Sequence, residues 1–370
     1  MPAVITGTGV AVPPNEVTNH DLSRIMDTSD EWIRSRSGVV SRRFVDPGIG
    51  ASDLATEAGN AALASAGLGP GDVDALITAT MTPDLTNPGI AGLVQNKMGL
   101  GHIPVVDIRQ QCSGFLYALE LADALIGSGK AETVAVIGAE VHAGYLPWGD
   151  TWDIVLGKSD REPTPDEYAR NTEHRAWSVL FGDGAGAMVL QRSDAADVGF
   201  LGSSLHTDGE HFELIIVPGL GSLQRPFASE AQLQAGLHMP RMDGGGLYRQ
   251  AVRLMPDSIR LALDAAGLGV DDVGVVVAHQ ANERILAGVR KQLGVDEKLV
   301  PSNIDRWGNT TAGTLPILFH ELWEDGRIEA ESITCFTAFG AGAHWGAVLY
   351  REPSGNGVGN TPNSATVPRS

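Results

Sequence analysis

The feature that most constrains this chain is a repeat. The segment Ala62-Leu-Ala-Ser-Ala-Gly-Leu-Gly-Pro-Gly-Asp-Val-Asp-Ala-Leu-Ile is matched two hundred residues on by Ala262-Leu-Asp-Ala-Ala-Gly-Leu-Gly-Val-Asp-Asp-Val-Gly-Val-Val-Val. Both read as helix, glycine stop, acidic turn and strand. A second pair follows in the same order, Phe181-Gly-Asp-Gly-Ala-Gly-Ala-Met-Val-Leu and Phe339-Gly-Ala-Gly-Ala-His-Trp-Gly-Ala-Val-Leu. Two matched pairs in one order imply two copies of one α/β unit, and alternating helices and strands pack as layers of helix on sheet. A duplicated fold commonly places its site where the halves meet. A reactive group found in one copy therefore directs the search for its partners to the other.

The 370 residues suffice for one large α/β domain or two medium ones, and the 43% apolar content marks a globular chain. A net charge of −19 with no run of Lys or Arg argues against nucleic-acid binding. No apolar run is long enough to span a bilayer, and the N-terminus lacks a basic-then-apolar signal. The expectation is a soluble cytoplasmic protein. Cys112 and Cys335 are the two cysteines, far apart and without metal-ligand spacing, so neither a disulfide framework nor a metal site is expected.

Read in order, strands are expected at 3–12, 74–80, 105–108, 132–138, 181–190, 198–207, 212–217, 273–278 and 332–338. Helices are expected at 52–66, 89–98, after Cys112, and at 246–266, 282–293 and 315–325. The Gly7-Thr-Gly9 pair hints at a dinucleotide fingerprint, but the third glycine and the following helix are missing, which favours a structural turn. Residues 143–176, rich in Trp, Pro, Asp, Glu and Arg, read as a long surface excursion with room for one helical turn, and 351–370 as a disordered tail. The division expected is an N-terminal half 1–190 carrying the insert and a C-terminal half 191–350.

Cys112 stands at a strand-to-helix turn. Val105–Ile108 is a β-branched apolar run that reads as a buried strand, and Phe115, Leu116, Leu119 and Ala122 recur at helical spacing just beyond the thiol. Unpaired N–H groups and the positive end of a helix dipole there favour a thiolate. The placement is that of a nucleophile elbow built on sulfur. Taken alone, the stretch reads more readily as a buried cysteine serving as a small hydrophobe. The second half supplies partners at corresponding turns. His279 follows the buried strand and precedes a helix, and Asn309 lies in a glycine turn before another helix. Near the N-terminus, Trp32 beside Arg36 is either a packing anchor or an aromatic platform for an adenine and its phosphates.

Together these segments resemble the β-ketoacyl-acyl-carrier-protein synthase III family of the thiolase superfamily. The residues that carry the resemblance are Cys112-Ser-Gly-Phe, His279-Gln-Ala-Asn-x-Arg-Ile, Gly308-Asn309-Thr-Thr-Ala, Phe181-Gly-Asp-Gly-Ala-Gly-Ala and Asp27-Thr-Ser-Asp-Glu-Trp32-Ile-x-x-Arg-x-Gly. The resemblance implies a five-layer α-β-α-β-α fold of two pseudo-symmetric halves, normally a homodimer. It implies no bound cofactor, with a coenzyme A thioester as substrate and malonyl-loaded acyl carrier protein as partner. Cys112 would take the acyl group, and His279 and Asn309 would stabilise the enolate formed as a malonyl thioester loses carbon dioxide. The Cys112 N–H and one from the Gly340-Ala341-Gly342 loop would face the oxyanion. Trp32 and Arg175 would flank the adenine and Arg36 would hold its phosphates. Arg249, Arg284, Arg290 and Lys291 form a candidate carrier-protein patch, or a solvated helix face.

Three departures bear on the substrate. The 143–176 excursion lies just before Arg175, the usual triple-glycine loop reads Gly340-Ala341-Gly342, and Asn87 stands where related enzymes often close the acyl pocket with an aromatic. The excursion and Asn87 motivate an alternative in which Cys112 passes its acyl group to an alcohol, amine or preformed β-keto nucleophile. A non-catalytic acyl-binding subunit and a nicotinamide-dependent reductase are the remaining readings.

Overall fold

The computed structural model describes residues 1–354. Two strands, Thr133–Glu140 and Ile333–Gly340, are buried along their whole length, which is why they read as unbroken apolar runs rather than alternating ones. Each is central to a sheet. The first sheet runs Ala3–Ala11, Gly184–Arg192, Thr133–Glu140, Ala75–Ala79, Val105–Ile108. The second, from the other side, runs Gly199–Thr207, His344–Arg351, Ile333–Gly340, Val273–Ala278. The two orders match strand for strand. Where the first sheet has Val105–Ile108, the second has only a short contact, Val276 N–H donating to the Leu299 carbonyl at 2.7 Å.

Helices Gly114–Gly127 and Thr314–Glu324 lie between the sheets, touching strands of both. Their apolar faces, including Phe115, Leu119, Leu315 and Phe319, fill a core with Ile77, Val136, Val277 and Phe336. Helix Ala51–Ser65 covers the outer face of the first sheet and helix Gly244–Ala266 that of the second. The result is the five-layer α-β-α-β-α arrangement of the thiolase-like fold. Gly7 and Gly9 belong to its packing, for they lie within the first strand rather than in the expected turn. A Cβ on Gly9 would stand 2.4 Å from the Ala58 carbonyl oxygen, so glycine lets strand and helix touch.

Residues 143–176 are a surface excursion only in part: 157–170 are mostly exposed, but 146–155 enter a core. Trp148 is fully buried, its ring 4.7 Å from that of Trp152 and 5.4 Å from that of Phe44. With Ile154, Val155 and Trp177 it closes a separate small core over Leu22, Ile25 and Ile33. The segment also holds a nine-residue helix, Pro165–Glu173, started by a Thr164–Glu167 capping box. The expected strand at 212–217 shrinks to Ile215–Ile216 against Arg241–Met242. The last strand continues to Arg351, one residue into the expected tail, and 355–370 lie outside the described residues. Among the described residues, no helix is long and apolar enough to cross a membrane and no His, Cys, Asp and Glu cluster could hold a metal ion.

Candidate active site

Cys112 sits in a single 3-10 turn, Gln111–Ser113, between strand Val105–Ile108 and helix Gly114–Gly127. Gln111 before it is held at φ 52°, the left-handed region that a side chain rarely adopts. Gly340, at the end of the second sheet's central strand, presses on this turn. A Cβ there would lie 3.0 Å from Ser113 N and 3.1 Å from Cys112 N. Ser113 also donates to the His344 carbonyl at 2.8 Å. The halves therefore grip the nucleophile's turn directly. The thiol is buried, and burial pushes it up to about 12, with the nearby Glu140 carboxylate adding to the rise. This differs from the thiolate expected of a helix N-terminus, because desolvation outweighs it.

His279 follows strand Val273–Ala278, with its N–H on the Thr337 carbonyl and its Nδ1 2.7 Å from Thr314 Oγ1. Burial lowers its pKa to about 3, so the ring is neutral near pH 7. Asn309 is anchored by its N–H on the Leu180 carbonyl, and its Oδ1 accepts from Thr311 N–H at 2.8 Å. That bond fixes the amide orientation and leaves the NH2 group as a donor. Cys112, His279, Asn309, Gly340 and Ala341 all line one cavity of ≈ 130 Å³.

Helix Asp30–Ser37 is joined to the rim of this cavity by Asn282, a cavity-lining residue that donates to the Arg36 carbonyl at 2.8 Å. On it, Trp32 has two guanidiniums over its ring, Arg36 at 4.4 Å and Arg175 at 5.0 Å from the centroid. Arg175 also pairs with Asp27 at 2.8 Å. The excursion before Arg175 thus brings it to Trp32 rather than displacing it.

Arg290 does not belong to a carrier-protein patch. Only 7% exposed, it bonds Glu283 and the Val300 carbonyl, so its charge is spent inside the fold. Arg249, Arg284 and Lys291 are exposed, with Arg284 reaching over Tyr248. Asn87 is exposed and does not line the cavity within one chain.

Glu140 is a residue that motif reading missed. Fully buried at the end of Thr133–Glu140, its carboxylate accepts from Met81 N–H, Thr82 N–H, the Thr80 and Thr82 hydroxyls and Ala312 N–H. It ties the turn of one half to the loop of the other. Its position two hundred residues before Gly340 was the available signal.

Comparison with known proteins agrees with this fold. The model of 3-oxoacyl-[acyl-carrier-protein (ACP)] synthase III matches residues 106–156 and 165–209, and that of its C-terminal part matches 263–352. The first match leaves out 157–164, and Arg175 falls in a matched segment. A β-ketoacyl-[acyl-carrier-protein] synthase III of Rhizorhabdus wittichii is 39% identical over 349 residues, 94% of this chain and 99% of that protein. The crystal structure of 3-oxoacyl-[acyl-carrier-protein] synthase III from Aquifex aeolicus has a TM-score of 0.80 at 36% identity, covering 94% of this chain and 99% of that one. The priming β-ketosynthase of a polyketide biosynthetic pathway has a TM-score of 0.80 at 27% identity over 95% of each chain or more. With the fold, the cavity and these matches together, the chain belongs to the 3-oxoacyl-[acyl-carrier-protein] synthase III family of condensing enzymes.

Proposed function

We propose that this condensing enzyme uses Cys112 as its acyl carrier and His279 with Asn309 as its enolate donors. The observation that carries the reading is the convergence of a thiol, a neutral imidazole and an amide NH2 on one cavity. The Cys112 sulfur attacks the carbonyl of an acyl-CoA thioester, and the coenzyme A sulfur leaves with the thiol's proton. A malonyl thioester, carried by acyl carrier protein, then loses carbon dioxide. The electron pair passes to the thioester oxygen, where His279 Nε2–H and the Asn309 NH2 group donate to it. The enolate carbon bonds to the acyl carbonyl carbon, and that oxyanion meets Cys112 N–H and an N–H of the Gly340-Ala341-Gly342 loop. Collapse breaks the C–S bond, releases the β-ketoacyl product and returns the Cys112 thiol after protonation by solvent. Transfer to an alcohol or amine is not favoured, since the relatives are synthases.

Trp32 with Arg36 and Arg175 would hold coenzyme A, supported by the stacked guanidiniums. Arg249, Arg284 and Lys291 would meet acidic carrier protein. The halves 1–190 and 191–350 are taken as the two units of the duplication, each built on one sheet. A homodimer is supported by the unpaired edge strand Val105–Ile108, where Val106 is 36% exposed, and by Leu85 beyond it at 49%. Across such a dimer Asn87 would border the partner's acyl pocket. A cytoplasmic location suits the two free cysteines. Incubation with a panel of acyl-CoAs, followed by intact-protein mass spectrometry and measurement of carbon dioxide from malonyl carrier protein, tests the reading. Acyl transfer without carbon dioxide release would overturn it.

A further inference from the structure

We propose that Thr314 is a positioning residue that decides which ring nitrogen of His279 carries the proton, through a hydroxyl shared between His279 and the Thr311 carbonyl. The inference rests on the reading above, in which His279 donates from Nε2.

A neutral imidazole has one N–H, and burial keeps His279 neutral. For Nε2 to donate into the cavity, Nδ1 must be an acceptor, and it needs a donor. Thr314 Oγ1 lies 2.7 Å from Nδ1 and 2.9 Å from the Thr311 carbonyl oxygen. Its single hydroxyl proton can go to either. Pointed at the carbonyl, the Thr314 oxygen accepts from Nδ1–H, and Nε2 presents a bare lone pair that repels a thioester oxygen. Pointed at Nδ1, it leaves the imidazole proton on Nε2 as a donor. The Thr311 carbonyl already accepts from Thr314 N–H, so turning the hydroxyl away does not orphan it. The arrangement that condensation needs is therefore open at small cost.

The duplication shows that this pair is peculiar to the second half. Gln111 at φ 52° and Thr311 at φ 43° begin the same turn in each half. The positions of Cys112 and Gly114 in the first half are held by Ala312 and Thr314 in the second, and that of Ala79 is held by His279. In the first half Gly114 and Ala79 simply pack, since a Cβ on Gly114 would stand 3.1 Å from that of Ala79. In the second half the same contact has become Thr314 on His279. The turn also supplies the Thr311 N–H that orients Asn309. It carries Ala312 in place of a nucleophile and instead holds both enolate donors.

The test compares wild type, Thr314→Val, which keeps shape and removes the hydroxyl, and Thr314→Ser, which keeps the hydroxyl. Cys112 acylation is read by intact mass, condensation by kcat and by KM for the malonyl thioester, and the His279 tautomer by 15N NMR of the histidine-labelled enzyme. The expected result is Nε2–H on His279 in wild type. Thr314→Val should acylate normally but lose kcat by about 10²-fold, the scale of losing one such donor, with a smaller change in KM. Thr314→Ser should stay close to wild type. Full condensation in Thr314→Val, equal damage in both variants, or an Nδ1–H tautomer in wild type would each overturn the proposal. Failure of wild type to form acyl-Cys112 would instead overturn the functional reading, and the tautomer of the resting enzyme would still judge Thr314.

Discussion

Replacing Gly340 by alanine tests how tightly the two halves hold the nucleophile. The added Cβ would stand 3.0 Å from Ser113 N, 3.1 Å from Cys112 N and 3.1 Å from the Gln110 carbonyl oxygen. All three are backbone atoms, so no side chain can swing aside. Ordinary contact requires the Cys112 turn to retreat by a few tenths of an ångström, and overpacking of this kind costs about 1–3 kcal/mol. Misplacement by about 1 Å costs roughly 10²-fold in rate, so a shift under half that size should cost about tenfold. Both half-reactions use Cys112, so both should slow alike. Rapid-quench intact-mass measurement gives the acylation rate, and product formation gives condensation. Ala341→Gly is the control, because Ala341 lines the cavity and removing its methyl adds no atom that could press on the turn. A Gly340→Ala enzyme acylating at the wild-type rate would refute the contact between the strand end and the turn.

Other expectations follow from the same geometry. Trp32→Ala should raise KM for acyl-CoA by about tenfold, the low end of losing a base–aromatic stack, with kcat little changed in steady-state assays. Arg290→Ala should lower stability by about 2 kcal/mol in denaturant melts, since it strands the half-buried Glu283, and leave affinity for carrier protein unchanged. Arg284→Ala should do the reverse, weakening carrier binding in a salt-dependent manner. His142 is buried with its pKa lowered to about 4, so below about pH 6.5 the unfolded chain binds a proton that the native state refuses. Its contribution therefore destabilises increasingly as pH falls from 6.5 toward 4. In denaturant melts at pH 7 and 4.5, His142→Phe should gain on wild type at the lower pH, and an unchanged difference would contradict this.

The strands and layers were legible because a duplicated sequence imposes the same strand-turn-helix grammar twice. Val273–Ala278 was readable as a buried run, and the repeat pointed from Cys112 toward His279 and Asn309. The core at 143–176 was not legible, since Trp148 and Trp177 are buried by remote partners such as Phe44 and Ile33 rather than by any periodicity of their own. Nor was the burial of Arg290. A cation in the last turn of a helix looks like a solvated dipole partner until Glu283 and the Val300 carbonyl are seen beside it. Thr314 looks like an ordinary residue opening a helix, and only its distance to His279 gives it a role.

The central claim is that Cys112 carries the acyl group and that His279 serves the condensation. Intact-protein mass spectrometry of wild type, Cys112→Ala and His279→Ala, with carbon dioxide release from malonyl carrier protein measured in parallel, tests it most directly. An acyl adduct is expected on wild type and His279→Ala but none on Cys112→Ala, with carbon dioxide release and condensation suppressed by about 10²-fold or more in His279→Ala. Equal loss of the adduct in both variants would contradict it.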